Sequence, residues 1–250
     1  MCMKCGECKA GQGHYCAKKT HVYHDTFKNG CPAPLHGGFA NRIRLFTMVT
    51  TPLLCDGLTI FTALRKYGAG ANKMVGVKGI GTLGHFAIQY AKAMGSKDIV
   101  AINGSDITFE DVTKLGATRC IDLSNKDGFQ AEHRKIDLLL VNSFNESTNW
   151  EVDLSLVSNH GTVVVLALSK VPMSIPTMPL AHRDIRIVLS FQGGRNDVKE
   201  MLAFTVKQEI HLWIVKVQFD KINDANESKE KESNAEANKA WGWSSTLKED

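Results

Sequence analysis

Four cysteines crowd into the first sixteen residues: Cys2, Cys5, Cys8 and Cys16, spaced C-x2-C-x2-C-x7-C. Two-residue gaps let neighbouring thiolates turn onto one point, and the longer gap lets the chain loop back with the fourth. Four thiolates meeting about 2.3 Å from one centre are what a closed, tetrahedral structural zinc takes. Gly6, Gly11 and Gly13 give the knuckle its tight backbone. Four unrelated thiols, or two disulfides of a secreted domain, are the competing readings. Zinc is favoured because only this end of the chain is cysteine-dense. A closed four-thiolate site keeps no open position, so it is expected to fold the chain and not to react.

At 250 residues the chain has room for one or two domains with a substantial core. A formal charge of +4, with no arginine-rich run interleaved with aromatics, argues against nucleic acid as a partner. No apolar run reaches the roughly 18 residues of a membrane span, so no membrane association is expected. The opening MCMKCGECKAGQG lacks the apolar stretch of a signal peptide. Cys31, Cys55 and Cys120 lie far apart, like free thiols, which fits a reducing, cytoplasmic compartment.

Residues 1–50 are irregular and rich in Gly, His and Pro, with a strand expected within 36–44. A helix is expected over 52–67, closed by Gly68. From Lys73 the pattern changes to short apolar runs alternating with helices. Strands are expected at 74–77, 99–102, 120–121, 138–141, 163–166 and 185–189. Helices are expected at 85–94, 109–115 and 196–207. Continuous apolar strands alternating with helices mark a parallel sheet covered on both faces. His160, before Gly161, reads as a helix ending, and residues 172–179, with three prolines, as a loop. Residues 226–250 are polar and charge-rich, a composition expected to be a disordered tail.

Gly79-Ile80-Gly81-Thr82-Leu83-Gly84 is G-x-G-x-x-G, set after an expected strand and before an expected helix. In that setting Gly79 allows the tight turn, Gly81 lets main chain approach a pyrophosphate, and Gly84 lets the helix pack on the strand. The helix N-terminus then turns its unpaired N–H groups toward the phosphates. Dinucleotide binding is therefore expected. The adenosine ribose should meet Asn103-Gly104-Ser105-Asp106, where an NAD site ordinarily places an acid at the strand end. Asn103 and Gly104 are neutral and Ser105 offers a hydroxyl, which favours NADP; Asp106 is a rival ribose acceptor that keeps NAD open. Lys78, just before the turn, is unusual at a buried strand end: it would snorkel or meet a phosphate.

Taken in order, the knuckle, the Gly38-Phe39-Ala40 stretch, Pro52-Leu53-Leu54-Cys55-Asp56-Gly57-Leu58-Thr59 and the glycine turn resemble the zinc-containing medium-chain alcohol dehydrogenases. The nearest likeness is to their NADP-dependent, cinnamyl-alcohol-dehydrogenase-like branch. The resemblance implies an α/β fold: a Rossmann-type doubly wound parallel sheet over residues 51–210. A partial GroES-like catalytic domain carrying the zinc lobe would occupy 1–50, and residues 211–225 would be a remnant of the return to it. It implies that Cys2, Cys5, Cys8 and Cys16 hold a structural Zn2+. It implies that Cys55 is a ligand of the catalytic zinc, that Thr59 lies near the nicotinamide, and that Gly79, Gly81, Thr82, Leu83 and Gly84 hold the pyrophosphate. Asn103-Gly104-Ser105 stands where this branch commonly has Ser-Arg-Ser.

Members of the branch carry, ahead of the knuckle, a segment that supplies a first catalytic Cys, a proton-relay hydroxyl and a Gly-His-Glu zinc motif. None has an equivalent in this sequence, so the chain is expected to be N-terminally truncated relative to them, with Cys55 the lone surviving ligand. A single ligand holds no catalytic zinc, and Cys55 then reads equally as a small buried thiol. The implied function is hydride transfer between NADP(H) and a primary alcohol or aldehyde, impaired in this chain. The alternatives are a non-catalytic NADP- and zinc-binding remnant or interaction protein, and a zinc-free reductase. A homodimer through 185–189 and 212–219 is also implied.

Overall fold

The structure is a computed structural model that describes residues 2–19, 52–103, 108–123 and 132–212, with the backbone also of 23–26 and 34–36. Among these residues, eleven short elements precede or build the first half of the main sheet. The knuckle holds a helical turn, α1 (Gly6–Lys9), and a 3-10 turn at Gly13–Tyr15. Strands β1 (Tyr23–Thr26) and β2 (Pro34–His36) form an antiparallel pair. A π-helical segment, Leu53–Gly57, runs into α2 (Leu58–Tyr67). Then follow β3 (Met74–Lys78), α3 (Thr82–Ala93), β4 (Asp98–Asn103), α4 (Phe109–Leu115) and β5 (Arg119–Asp122). The second half comprises β6 (Ile136–Val141), α5 (Trp150–Leu156), β7 (Val157–Val165), α6 (Thr177–Arg183), β8 (Arg186–Leu189) and α7 (Arg195–Lys207).

Strands β3 to β8 form one six-stranded sheet in the order β5-β4-β3-β6-β7-β8. Every neighbouring pair is parallel. Counted from β3, this is the doubly wound order 3-2-1-4-5-6, with the switch point between β3 and β6. The expected Rossmann-type α/β sheet is therefore present.

Strand residues alternate between two cores, because successive side chains point to opposite faces. Val75, Val77, Leu138, Leu140 and Val164 face the cluster that contains Phe61, Phe86, Tyr90 and Met201 of α2, α3 and α7. Val100, Ile102, Leu139, Val141 and Val165 face Trp150, Leu154 and Leu156 of α5. Within the first core the Tyr90 hydroxyl meets Thr205 Oγ1 at 2.7 Å, so its polar end is satisfied. Among the described residues no helix is long and apolar enough to cross a membrane.

Three expectations are corrected. His160 ends no helix: it lies inside β7 in a left-handed conformation (φ 61°), where the pairing of β6 with β7 shifts register. Residues 172–179 are not all loop, because α6 begins at Thr177. Pro176 and Pro179 suit the cap and first turn, where backbone N–H groups have no intrahelical partner. Helix α5, not expected from the sequence, begins at the cap residue Asn149, whose Oδ1 accepts from the N–H groups of Glu151 (3.0 Å) and Val152 (3.3 Å). The expected 85–94 helix starts three residues earlier, at Thr82. Most of the strand expected within 36–44, and the tail at 226–250, lie outside the described residues.

Removing the α5 cap gives a simple test. Asn149→Ala should lower stability by about 1 kcal/mol, which is a fall in Tm of roughly 2–4 °C for a domain of this size, measured by thermal unfolding.

Candidate cofactor and metal sites

Three strand ends converge at the glycine turn. Gly79 N–H donates to Ile102 O at the end of β4 (3.1 Å). Asn142, just past β6, donates its own N–H to Lys78 O (3.0 Å) and its side-chain Nδ2 to Gly79 O (3.1 Å). Gly79 has φ 85°, and a Cβ there would stand 2.6 Å from Ser143 Oγ. A Cβ on Gly84 would overlap the carbonyl oxygen of Gly79. These two positions let α3 start directly against β3.

Gly81, the N-cap of α3, is different. It has no side-chain cap, and a Cβ there would meet nothing within 4 Å. The first N–H groups of α3, including those of Thr82, Leu83 and Gly84, have no intrahelical acceptor. Orphan amides beside open space at the carboxyl edge of a doubly wound sheet fit a pyrophosphate. Asn103 ends β4, paired in register with Asp122, while Ser105 lies outside the described residues.

His85, in the first turn of α3, is 3% exposed, with ring Nδ1 3.2 Å from Gly81 O. Burial pushes its pKa below the ordinary value near 6.5, so the ring is neutral at pH 7. Lys78 does not snorkel freely: its ammonium binds both oxygens of Asp153 on α5, at 2.8 and 2.6 Å.

The cysteine knuckle closes as its spacing implied. One sulfur from each of Cys2, Cys5, Cys8 and Cys16 lies within 4.8 Å of the other three, and none is in a disulfide. A tetrahedral zinc with 2.3 Å bonds needs sulfurs about 3.8 Å apart, so the set fits the ion with a small contraction. The N–H groups of Lys4 and Cys5 point at Cys2 Sγ, each at 3.4 Å, and pull that thiol down to about 6. A hydrogen bond with Glu7 pushes Cys5 up to about 12. The knuckle rests on the start of α7: a Cβ on Gly194 would overlap Gly11 O and stand 3.1 Å from His14 Nδ1.

Cys55 is exposed, in the π-helical segment, so the buried-thiol reading is corrected. Although the residue as a whole is exposed, partial desolvation of its thiol raises the pKa, helped by Asp56. Gln192, in the loop after β8, donates Nε2 to Cys55 Sγ at 3.7 Å. Thr59, one turn on, is 8% exposed and donates Oγ1 to Cys55 O at 2.8 Å. Among the described residues the only metal-competent cluster is the knuckle, and Cys55 does not belong to it. These residues alone do not make a catalytic zinc site. The sequence reading missed Asn142 and Gln192. Asn142 carried a signal, because a polar residue directly after a buried apolar strand sits at the ligand edge; Gln192 carried none.

Residues 82–207 match the family described as zinc-binding dehydrogenase. The chain is 32% identical over 240 residues to NADP-dependent alcohol dehydrogenase C 1 of Mycolicibacterium smegmatis, covering 90% of this chain and 68% of that protein. It is 28% identical over 239 residues to a probable cinnamyl alcohol dehydrogenase of Oryza sativa subsp. japonica, covering 90% and 64%. Its fold superposes on a cinnamyl alcohol dehydrogenase from Sorghum bicolor with a TM-score of 0.83 at 25% identity, covering 93% of this chain and 69% of that one. The Helicobacter pylori enzyme, solved with NADP(H), gives a TM-score of 0.80 at 22% identity, covering 92% and 68%.

Two outcomes follow from the geometry. Gly84→Ala should lower Tm clearly while Gly81→Ala leaves it near wild type, because only the first methyl group meets main chain. His85 has a depressed folded-state pKa, so its contribution to stability is complete above pH 6.5 and is lost as pH falls from there toward the folded value. The drop in Tm between pH 7.5 and 5.5 should therefore be smaller in His85→Gln than in the wild type.

Proposed function

The chain belongs to the zinc-binding dehydrogenase family, and from that premise we propose that it is an NADP(H)-dependent oxidoreductase acting on a primary alcohol or aldehyde. The observation that carries this reading is the open, uncapped start of α3 at Gly81, at the switch point of the doubly wound sheet. Gly79, Gly81, Thr82, Leu83 and Gly84 would hold the pyrophosphate, and Asn103 and Ser105 the ribose end. NADP carries the hydride when bound. Cys2, Cys5, Cys8 and Cys16 would hold a structural zinc. The relatives named for NADP-dependent alcohol and cinnamyl alcohol dehydrogenation support this cofactor and substrate class.

In this reading Cys55 and Thr59 flank the nicotinamide side of the site, and Gln192 shares it. Because Cys55 belongs to no cluster of three or more metal-ligating side chains among the described residues, turnover by this chain alone is expected to be low. That same observation favours a second reading, a non-catalytic NADP- and zinc-binding protein. Residues 1–50 would be the partial GroES-like domain and 51–210 the cofactor domain. The outer edge of β8, with Leu189 and Phe191 exposed beside it, would form a homodimer in the cytoplasm.

Metal counting separates the readings. Two zincs per chain support the dehydrogenase, one supports the binding protein, and none supports a zinc-free reductase. Fluorescence titration should show NADPH binding more tightly than NADH. Gly81→Asp should abolish that binding with Tm unchanged, because its carboxylate enters open space where the phosphates would lie. Unchanged affinity in Gly81→Asp would remove the cofactor assignment.

A further inference from the structure

The ion pair between Lys78 and Asp153 is buried to a degree that calls for a reason. The Lys78 side chain is 14% exposed and that of Asp153 1%. Two charges taken this far out of water lose more solvation than two well-packed apolar side chains would, so cohesion alone does not account for them. Burial pushes the Asp153 carboxyl up, and Lys78 acts to hold it down.

Their place in the fold supplies the reason. Lys78 is the last residue of β3 and the one before Gly79. The turn is already gripped from the α3 face, where Gly84 presses on the Gly79 carbonyl, and from β6, where Asn142 holds Lys78 O and Gly79 O. Asp153 lies on α5, across the opposite face, between the core residues Trp150 and Leu154 that anchor that helix. The pair therefore links the end of the central strand to a fixed helix on the far side of the sheet. We infer that Lys78 and Asp153 are positioning residues of the pyrophosphate turn, tying the strand end that feeds it to α5 so that the α3 amides meet the cofactor in one place. This rests on the cofactor reading above. An ammonium has three N–H groups, and Asp153 takes two hydrogen bonds. The pair fixes the distance between the strand end and the helix.

The test uses the full 250-residue chain, with NADPH fluorescence for affinity and thermal unfolding for stability. Lys78→Met and Asp153→Leu each strand one buried charge and should lower Tm. The double variant K78M/D153L strands none, and should unfold at or above the wild-type Tm. Its Kd for NADPH should nevertheless be at least tenfold weaker, a change that a merely cohesive pair would not produce once stability is regained. A double variant that folds and binds within tenfold of the wild type overturns the inference. So does one that fails to fold, since the charges would then serve cohesion. A wild-type chain that binds neither NADPH nor NADH sinks the cofactor reading itself, and this inference with it.

Discussion

Gly84 lies against the carbonyl of Gly79 with no room for a methyl group between them, and the rest of the site depends on that contact. It lets a helix begin almost on top of the strand that feeds it. The first amides of α3 are thereby held at the edge of the sheet, in the gap between β3 and β6. Since those donors are main chain, the site asks little of side-chain identity beyond small residues at three positions. That is why a sheet of this order superposes closely on relatives that share a quarter of its residues. Side chains act around the turn instead: Asn142 from the next strand, Lys78 with Asp153 from beneath.

Much of this was legible in the residues. The knuckle and the glycine turn are defined by spacing, and spacing is a local property that the fold preserves. The buried strands were legible because both of their faces are covered, so apolar residues run without a break. Helix α5 was not. Val152, Leu154 and Leu156 alternate with Asp153 and Ser155, which is the signature of a strand. A helix forms there because Asn149 caps it, Trp150 and Leu154 share one face, and Asp153 finds Lys78. Helix α6 was hidden by prolines that are tolerated only because they fall in its cap and first turn. The meeting of Gln192 with Cys55 spans 137 residues of sequence, and no local pattern announces a contact of that range.

The metal knuckle and the sheet are not independent pieces. Gly194 opens α7, its N–H donates to Asp197 Oδ2 at 2.6 Å, and the knuckle's Gly11 and His14 press on it. Lys19, just past the last cysteine, stands over the ring of Phe191 at 6.0 Å. The short loop between β8 and α7 is thus supported from the knuckle side, and it is this loop that delivers Gln192 to Cys55. By supporting the loop it leans on, the four-cysteine knuckle shapes the neighbourhood of a thiol elsewhere in the chain.

The strand order has a consequence for how the molecule is made. Central β3 pairs with β4 on one side and with β6 on the other, and Val75 must wait for Leu138. A ribosome adding about 5–20 residues per second needs roughly 3–13 s to supply the 63 residues from 76 through 138. Throughout that interval the middle of the future sheet is a half-built edge, apolar and open to any passing chain. The nascent protein is thus exposed to misassociation at a strand that ends up in the middle of the finished sheet.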